Sequence, residues 1–229
     1  MQTSHRKLGL IFGLLMVVSF FWGCSKNENA VDNDQIVGSG RLVSESRSGG
    51  TFTGIQVTNF AKVFITQDTV ESLRIESDDN IIGSVQTTLN GATLVVGLRD
   101  GSYGHVTVNV YASMKNIRLL ESIGTADFSA VNLIDTDSLI CKITGTGNVT
   151  LAGKTNYEKV QITGTGNIQN SNLLSSLCSI TISGTGNVQV HVTQQLDATI
   201  AGTGNITYDG NPAVIHQSIT GIGVIRPGH

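Results

Sequence analysis

The sequence predicts an all-β fold, a right-handed parallel β-helix (a solenoid) with rungs of about 20 residues. Two observations carry this prediction. The β-forming residues Val, Ile and Thr, together with Asn and Gly, dominate the chain after residue 40, and a Gly-Thr-Gly-Asn motif recurs at a steady spacing. No long stretch shows helical periodicity, and an apolar content of 39% is enough to build a core.

The repeat lies in the second half of the chain. Four segments share the pattern Ile-x-Gly-Thr-Gly-Asn-(Val/Ile), and one degenerate copy stands on either side of them. Successive copies are 21, 19, 20, 18 and 19 residues apart, measured between the first glycines Gly124, Gly145, Gly164, Gly184, Gly202 and Gly221. This period is too short for two packed helices and is typical of a stacked β-solenoid.

Apolar residues recur at fixed, even offsets from each first glycine. Two residues before it stand Ile143, Ile162, Ile182, Ile200 and Ile219, and four residues after it stand Phe128, Val149, Ile168, Val188, Ile206 and Ile225. Because side chains alternate between the faces of a strand, these positions share the inner face. Rungs about 4.8 Å apart would then stack like residues into continuous aliphatic columns.

The Gly-Thr-Gly-Asn motif is predicted to form the corner between two strands of a rung. Glycine adopts positive φ without a Cβ clash, and Asn tolerates left-handed backbone better than most residues, so both suit a tight turn. We assign a structural corner ladder to Gly145, Asn148, Gly164, Asn167, Gly184, Asn187, Gly202 and Asn205.

Residues 38–120 are interpreted as the less regular opening of the same domain. Two weaker copies of the rung pattern are expected, one over residues 55–65 with Asn59 at its corner and one over residues 73–81. Asn90-Gly91 predicts a hairpin turn. A further strand is expected from the alternation of Val106, Val108 and Val110.

The N-terminus has the three-part layout of a secretory signal peptide, with basic residues, an apolar run over residues 8–21 and then Cys24. A bilayer span needs about 20 apolar residues, so this run is too short. The sequence therefore predicts a lipoprotein signal over 1–23, a lipidated Cys24 with a flexible tether over 24–37, and a single domain over 38–229. An ordinary cleaved signal with an incidental Cys is the alternative.

The predicted lipid anchor places the chain in the cell envelope. Lys26 lacks the acidic character that often marks retention at the inner membrane, which favours the outer membrane. The other cysteines, Cys141 and Cys178, lie two rungs apart, about 9.6 Å along the stack. A disulfide spans Cα separations of up to about 7 Å, so we expect both thiols to stay unbridged.

Several function classes are disfavoured by the composition. A net charge of −3 does not indicate the basic surface that nucleic-acid binding requires. The acids of the repeat region, Glu158, Asp197 and Asp209, lie at unrelated offsets, so the paired carboxylates of glycoside hydrolysis are not expected. Glycine-rich Ca²⁺ solenoids need Asp where this chain has neutral Asn, so we expect no metal site and no cofactor.

The chain resembles the auto-transporter adhesin head (GIN domain) family of bacterial lipoproteins over about residues 38–228. The resemblance rests on the Gly-Thr-Gly-Asn series and on the segments GSGR at 38–41, FTGI at 52–55, ESDDN at 76–80 and NGATL at 90–94. It implies a β-helix related in shape to the pectin lyases, with Gly-x-Gly turns between its sheets. It also implies a role in cell adhesion and no recognised catalytic residues.

Together these observations favour a non-catalytic cell-envelope lipoprotein that acts as a surface-binding or cell-adhesion module. Two alternatives stay open: a carbohydrate-active β-helix enzyme such as a polysaccharide lyase or hydrolase, and a structural periplasmic lipoprotein. The expected partners are the membrane, through the lipid anchor, and a host or cell-surface protein or glycan; self-association into a homo-oligomer also stays open. Candidates to line a glycan-binding face, with core or edge packing as the alternative, are Tyr103, Tyr111, Tyr157 and Tyr208.

Overall fold

The structure, a computed structural model, describes residues 35–228. Apart from one 3-10 turn at Ile82–Ser84, its regular elements are β-strands. In this part of the chain no helix is long and apolar enough to cross a membrane. In chain order the strands are β1 (Gln35–Val37), β2 (Leu42–Arg47), β3 (Gly54–Val57), β4 (Phe60–Gln67), β5 (Ser72–Asp78), β6 (Val85–Asn90), β7 (Thr93–Leu98), β8 (Ser102–Gly104), β9 (Val108–Met114), β10 (Leu119–Ser122), β11 (Thr125–Ala130), β12 (Ile134–Ile143), β13 (Thr146–Ile162), β14 (Thr165–Ile182), β15 (Val188–Ile200), β16 (Thr203–Asp209), β17 (Val214–Ile219) and β18 (Ile222–Pro227).

These strands wind into a β-solenoid of about five turns, as the repeat predicts. What we call the first sheet lies before the corners and stacks β7, β3, β10, the C-terminal parts of β12 to β15, and β17 in parallel. The second sheet lies after the corners and stacks β9, β4, β11, the N-terminal parts of β13 to β15, and then β16 and β18. From β10 and β11 onward, each rung pairs with the next about 20 residues along the chain.

The opening of the solenoid is not stacked in chain order. The rung formed by β3 and β4 lies between the later rung β7/β9 and the rung β10/β11. Strand β5 runs antiparallel to both β2 and β9. The prediction of a parallel rung over residues 73–81 is therefore wrong. Inward residues Leu73 and Ile75 alternate as predicted, but alternation is the same in parallel and antiparallel strands and does not encode direction.

Other expectations for the first half are confirmed. Strands β6 and β7 form an antiparallel hairpin in which Asn90 pairs with Thr93, and Gly91 occupies the turn with a φ of +60°. Val108 and Val110 lie in β9, whereas Val106 precedes the first residue of that strand, so the predicted strand begins two residues too early. Residues 35–37, assigned from the sequence to the tether, form β1 and pair with β8. The predictions for residues 1–34, including Cys24, lie outside the described residues.

The core consists of the stacked aliphatic columns that the offsets predict. Ile143, Ile162, Ile182 and Ile200 are buried one above another on the inner face of the first sheet. Burial of one such side chain contributes roughly 1.5–3 kcal/mol, and each column gains it only because a neighbouring rung covers it. In the last rung Ile219 is 45% exposed, since no rung of the described chain lies above it.

Candidate functional site

The first glycine of each corner lies directly against the backbone of the preceding rung. A Cβ on Gly164 would lie 1.9 Å from the carbonyl oxygen of Gly145, and one on Gly184 would lie 2.0 Å from that of Gly164. Neither residue has a φ in the left-handed region. Our explanation through positive φ is therefore wrong for these glycines. The corner needs glycine because only a hydrogen atom fits between the stacked backbones, and the same holds for Gly145 and Gly202.

The corner asparagines form one directed hydrogen-bonded ladder, as their spacing predicts. The backbone N–H and the Nδ2 of Asn167 both donate to Oδ1 of Asn148, each at 3.2 Å. Asn187 donates in the same way to Asn167, and Asn205 to Asn187, at distances of 3.0–3.2 Å. The ladder ends where the backbone N–H of Val224 donates to Asn205 Oδ1 at 3.2 Å.

Asp127, in the degenerate copy before the first full motif, is the head of this ladder. Its Oδ1 accepts from the backbone N–H and the Nδ2 of Asn148. Every amide in the ladder donates toward Asp127, so the side-chain dipoles are parallel and their positive ends point to the carboxylate. A residue that only accepts is well suited to this end, which explains why Asp replaces Asn here.

The ladder leaves few free oxygen lone pairs that could bind a metal ion. Each Oδ1 of Asn148, Asn167 and Asn187 already accepts two N–H groups, which engages both of its lone pairs. Within residues 35–228 no three His, Cys, Asp or Glu side chains are grouped so as to hold a metal ion. From Asn148 to Asn205 the corner side chains are therefore joined by hydrogen bonds between neutral amides, with the carboxylate of Asp127 at one end.

We define the binding face as the outer surface of the second sheet along the repeats. It carries three parallel columns of uncharged hydrogen-bonding side chains, at one, three and five residues after the first glycine. A shallow groove of ≈ 420 Å³ follows the corner, with glycines as its floor. The columns are Thr146, Thr165, Thr185 and Thr203; Asn148, Asn167, Asn187 and Asn205; and Thr150, Gln169, Gln189 and Thr207.

A row of larger side chains continues the second sheet beyond the repeats. Arg74, Tyr111 and Phe64 are register partners on neighbouring strands β5, β9 and β4. The rings of Phe64 and Tyr111 stack with centroids 5.0 Å apart, and the Arg74 guanidinium lies 3.8 Å from the Tyr111 centroid. The sequence singled out Tyr111 but missed Phe64, although Val63 and Ile65 on either side point inward and so require Phe64 to point outward.

A buried acid inside the solenoid also escaped the sequence interpretation. Glu158 is fully buried, and its Oε1 accepts a hydrogen bond from Asn170 Nδ2 at 2.7 Å. Its Oε2 lies 4.0 Å from Cys178 Sγ. Burial raises the pKa of Glu158 to about 7. Glu158 stands six residues before Gly164, an even offset, so the alternation that identified the core could have shown that it points inward.

Around Glu158 the neighbouring polar groups are enclosed as well. Asn170 Oδ1 accepts the backbone N–H of Leu151 at 3.0 Å, so both ends of the amide are paired. Burial, and then the charge of Glu158, raise the thiol pKa values of Cys141 and Cys178 well above the ordinary value. Both cysteines are unbridged, as expected from the register. The thiols are thus protonated and inert rather than reactive.

The remaining candidate residues are scattered over the molecule. Asp197 lies on the first sheet, and its Oδ1 is 2.6 Å from His216 Nδ1 on the next rung. Asp209 ends β16 on the second sheet. Tyr208 is 8% exposed, so the core-packing alternative is correct for it. The structure brings no two of Glu158, Asp197 and Asp209 together on one surface.

The comparisons with known proteins agree with this architecture. The family model described as "Putative auto-transporter adhesin, head GIN domain" matches residues 51–212. A crystal structure of a "putative adhesin" from Bacteroides fragilis is 22% identical, with a TM-score of 0.69 over 84% of this chain and 100% of that chain. A "putative lipid binding protein" from Parabacteroides distasonis is 20% identical, with a TM-score of 0.56 over 86% of this chain and 100% of that chain.

Among curated proteins, none matches the chain. At these identities the two crystal structures show a shared fold and nothing further. The family model, by contrast, covers more than half of the sequence and includes the whole Gly-Thr-Gly-Asn series. The chain therefore belongs to the head GIN domain family that this model describes.

Proposed function

We propose that this chain is a non-catalytic binding module of the cell envelope, and that it mediates adhesion through the binding face. One observation carries the proposal: that face presents columns of exposed, uncharged hydroxyl and amide groups over successive rungs. Thr165, Thr185 and Thr203 are exposed and line the groove of this face, so their hydroxyls can reach a partner. A rigid, repetitive surface of this kind suits binding rather than turnover.

The arrangement of acids supports binding over catalysis. Glycoside hydrolysis needs two carboxyl groups about 5–9.5 Å apart across the substrate. Glu158 is enclosed by the core and cannot reach a substrate. On the second sheet Glu76 and Asp127 are separated by Asn109 and Lys62, that is, by three strand spacings or roughly 14 Å. Glu76 and Asp127 therefore lie too far apart to act as such a pair, which favours binding over glycoside hydrolysis on this face.

The proposal includes a lipid anchor at Cys24 and placement in the outer membrane. The support is the position of Cys24 directly after the apolar run. Acyl chains contribute about 0.8 kcal/mol for each buried CH₂, so a doubly or triply acylated cysteine would hold the chain at the membrane. Labelling with a clickable fatty acid tests this step: the wild type should be labelled and Cys24→Ala should not. Equal labelling of both would contradict the anchor.

Adhesion requires that the domain face outward from the cell. Protease treatment of intact cells should therefore degrade the domain while a periplasmic marker protein survives. Cells that lack the chain should attach to cultured epithelial monolayers or to other bacterial cells less well than cells that carry it. Protection of the domain until the outer membrane is permeabilised, with attachment unchanged, would instead support the structural periplasmic lipoprotein.

A further inference from the structure

We propose that the row Arg74–Tyr111–Phe64 is a subsite for one neutral sugar ring, so that the partner of the binding face is an uncharged glycan. This inference rests on the proposed function and names its partner class. The row lies on the same sheet as the hydroxyl and amide columns, and it continues the column that contains Thr150, Gln169 and Gln189.

The row is a rigid stack with one end uncovered. The Arg74 guanidinium covers one side of the Tyr111 ring, and Phe64 covers the other side at an interplanar angle of 16°. On the far side of Phe64 the register partner is Ser129, whose short side chain cannot cover a phenyl ring. Phe64 is half-buried, so the part of its ring that Tyr111 and the core leave uncovered can contact a ligand in line with the stack.

That uncovered face suits the flat side of a sugar. The face of an aromatic ring is electron-rich, and the C–H groups on one side of a pyranose form an apolar, weakly positive surface. Beside the row lies a cavity of ≈ 430 Å³. Its lining includes the hydroxyl-bearing residues Thr66 and Ser72, which can hydrogen-bond the equatorial hydroxyls of the same ring.

The neighbouring polar groups hold the stack in place. Glu76 Oε1 accepts hydrogen bonds from Asn109 Nδ2 at 2.9 Å and from the Tyr111 hydroxyl at 3.3 Å. Its Oε2 lies 3.5 Å from Arg74 Nη1. The hydrogen bond from Asn109 lowers the pKa of the Glu76 carboxyl, so the acid is ionised at neutral pH. The rings are therefore fixed before a ligand arrives, which reduces the entropy cost of binding.

The charges around the row favour a neutral ligand over an acidic one. Glu76 neutralises the one cation that touches the rings, Arg74. On this face Lys62 stands two residues before Phe64 and lies beside the carboxylate Asp127 in the register; from Thr150 and Asn148 onward the columns carry hydroxyl and amide groups without a cation until Arg226 in the last rung. An acidic glycan would need a run of cations that this surface lacks, whereas an uncharged one needs only hydrogen-bond partners and the ring face.

A tryptophan reporter tests the proposal directly. The full sequence has one tryptophan, Trp22, so Phe64→Trp in a Trp22→Phe background leaves a sole tryptophan at the subsite. Dextran, pullulan, mannan and galactan serve as neutral probes, with dextran sulfate as the acidic probe. At least one neutral probe should shift the emission at low and high salt alike. Tyr157→Trp, a reporter at a half-buried site on the first sheet, should show no shift with the same probe.

A second variant separates the ring from the fold. Phe64→Val keeps a β-forming residue but removes the ring, and it should weaken binding of the same polysaccharide about tenfold in affinity electrophoresis. Phe64→Tyr should retain binding. No shift with any neutral probe, or retention unchanged in Phe64→Val, would overturn the glycan subsite. If cells that carry Phe64→Val still attach to surfaces as wild-type cells do, the adhesion proposal stands without the glycan subsite.

Discussion

Asp127 Oδ1 accepts two hydrogen bonds from Asn148, one from its backbone N–H at 3.1 Å and one from its Nδ2 at 2.8 Å. This double contact starts the ladder that runs through Asn167, Asn187 and Asn205. The ladder has a direction, because every side chain donates toward Asp127 and accepts from the rung on its other side. Acceptor and donor roles are therefore fixed by position.

The direction of the ladder predicts unequal effects of two similar substitutions. Asp127→Asn keeps the Oδ1 acceptor and should change the free energy of unfolding by less than about 0.5 kcal/mol. Asn167→Asp loses the donor to Asn148 and sets a carboxylate against an amide oxygen, which should cost roughly 0.5–1.5 kcal/mol. Urea unfolding measures both. Equal effects would mean that the ladder has no fixed direction.

The same ladder predicts indifference to calcium. Replacing Asn167 and Asn187 together by Ala should lower the melting temperature, because hydrogen bonds worth roughly 0.5–1.5 kcal/mol each are lost. Neither EDTA nor excess Ca²⁺ should shift the melting curve of the wild type or of the double variant. A Ca²⁺-dependent rise that the double variant lacks would make the corners a metal site instead.

Close stacking makes the corner glycines irreplaceable. Gly164→Ala should destabilise the fold by about 1–3 kcal/mol, because its Cβ would meet the backbone oxygen of Gly145. Gly164→Val should cost at least as much. Gly83→Ala is the matched control, since a Cβ there meets nothing within 4 Å and the backbone is not in the left-handed region. Similar losses for both alanine variants in denaturant unfolding would refute the stacking argument.

The buried acid predicts a pH-dependent stability. The pKa of Glu158 is raised to about 7 from an ordinary 4.5, so the folded chain keeps a proton that the unfolded chain has released between these values. The contribution of this proton to the free energy of unfolding is fully present below about pH 4.5. It is lost as the pH rises through about 7, a total of about 3 kcal/mol. The free energy of unfolding of Glu158→Gln should therefore rise relative to that of the wild type as the pH increases across this interval. A difference that does not change with pH would contradict the buried, neutral acid.

The two buried thiols give a test of the rung register. Cys141 pairs with Leu120 and Val160, while Cys178 pairs with Glu158 and Leu196, so the cysteines lie in different columns of the first sheet. Thiol titration should find both free in denatured protein and neither reactive in folded protein. One disulfide between them would require another register.

The sequence predicted the periodic part of the molecule well. Fixed offsets from Gly145 to Gly221 were enough to identify the core columns, the corners and the asparagine ladder, because a solenoid repeats its contacts with its sequence. The antiparallel course of β5 and the insertion of β3/β4 between later rungs were missed, since alternation reports which face is buried and not strand direction. The Phe64–Tyr111 stack was missed because it depends on that non-sequential pairing.

One comparison of two threonines in β14 tests the proposed role of the binding face most directly. Thr165 lies in the groove of that face, and Thr181 lies on the outer surface of the first sheet. Beads coated with wild-type chain, Thr165→Arg or Thr181→Arg would be counted on epithelial monolayers and on bacterial layers after washing, with melting curves to confirm folding. The account predicts that Thr165→Arg loses most of the retention and that Thr181→Arg keeps it. Equal retention of all three, or loss only in Thr181→Arg, would contradict it.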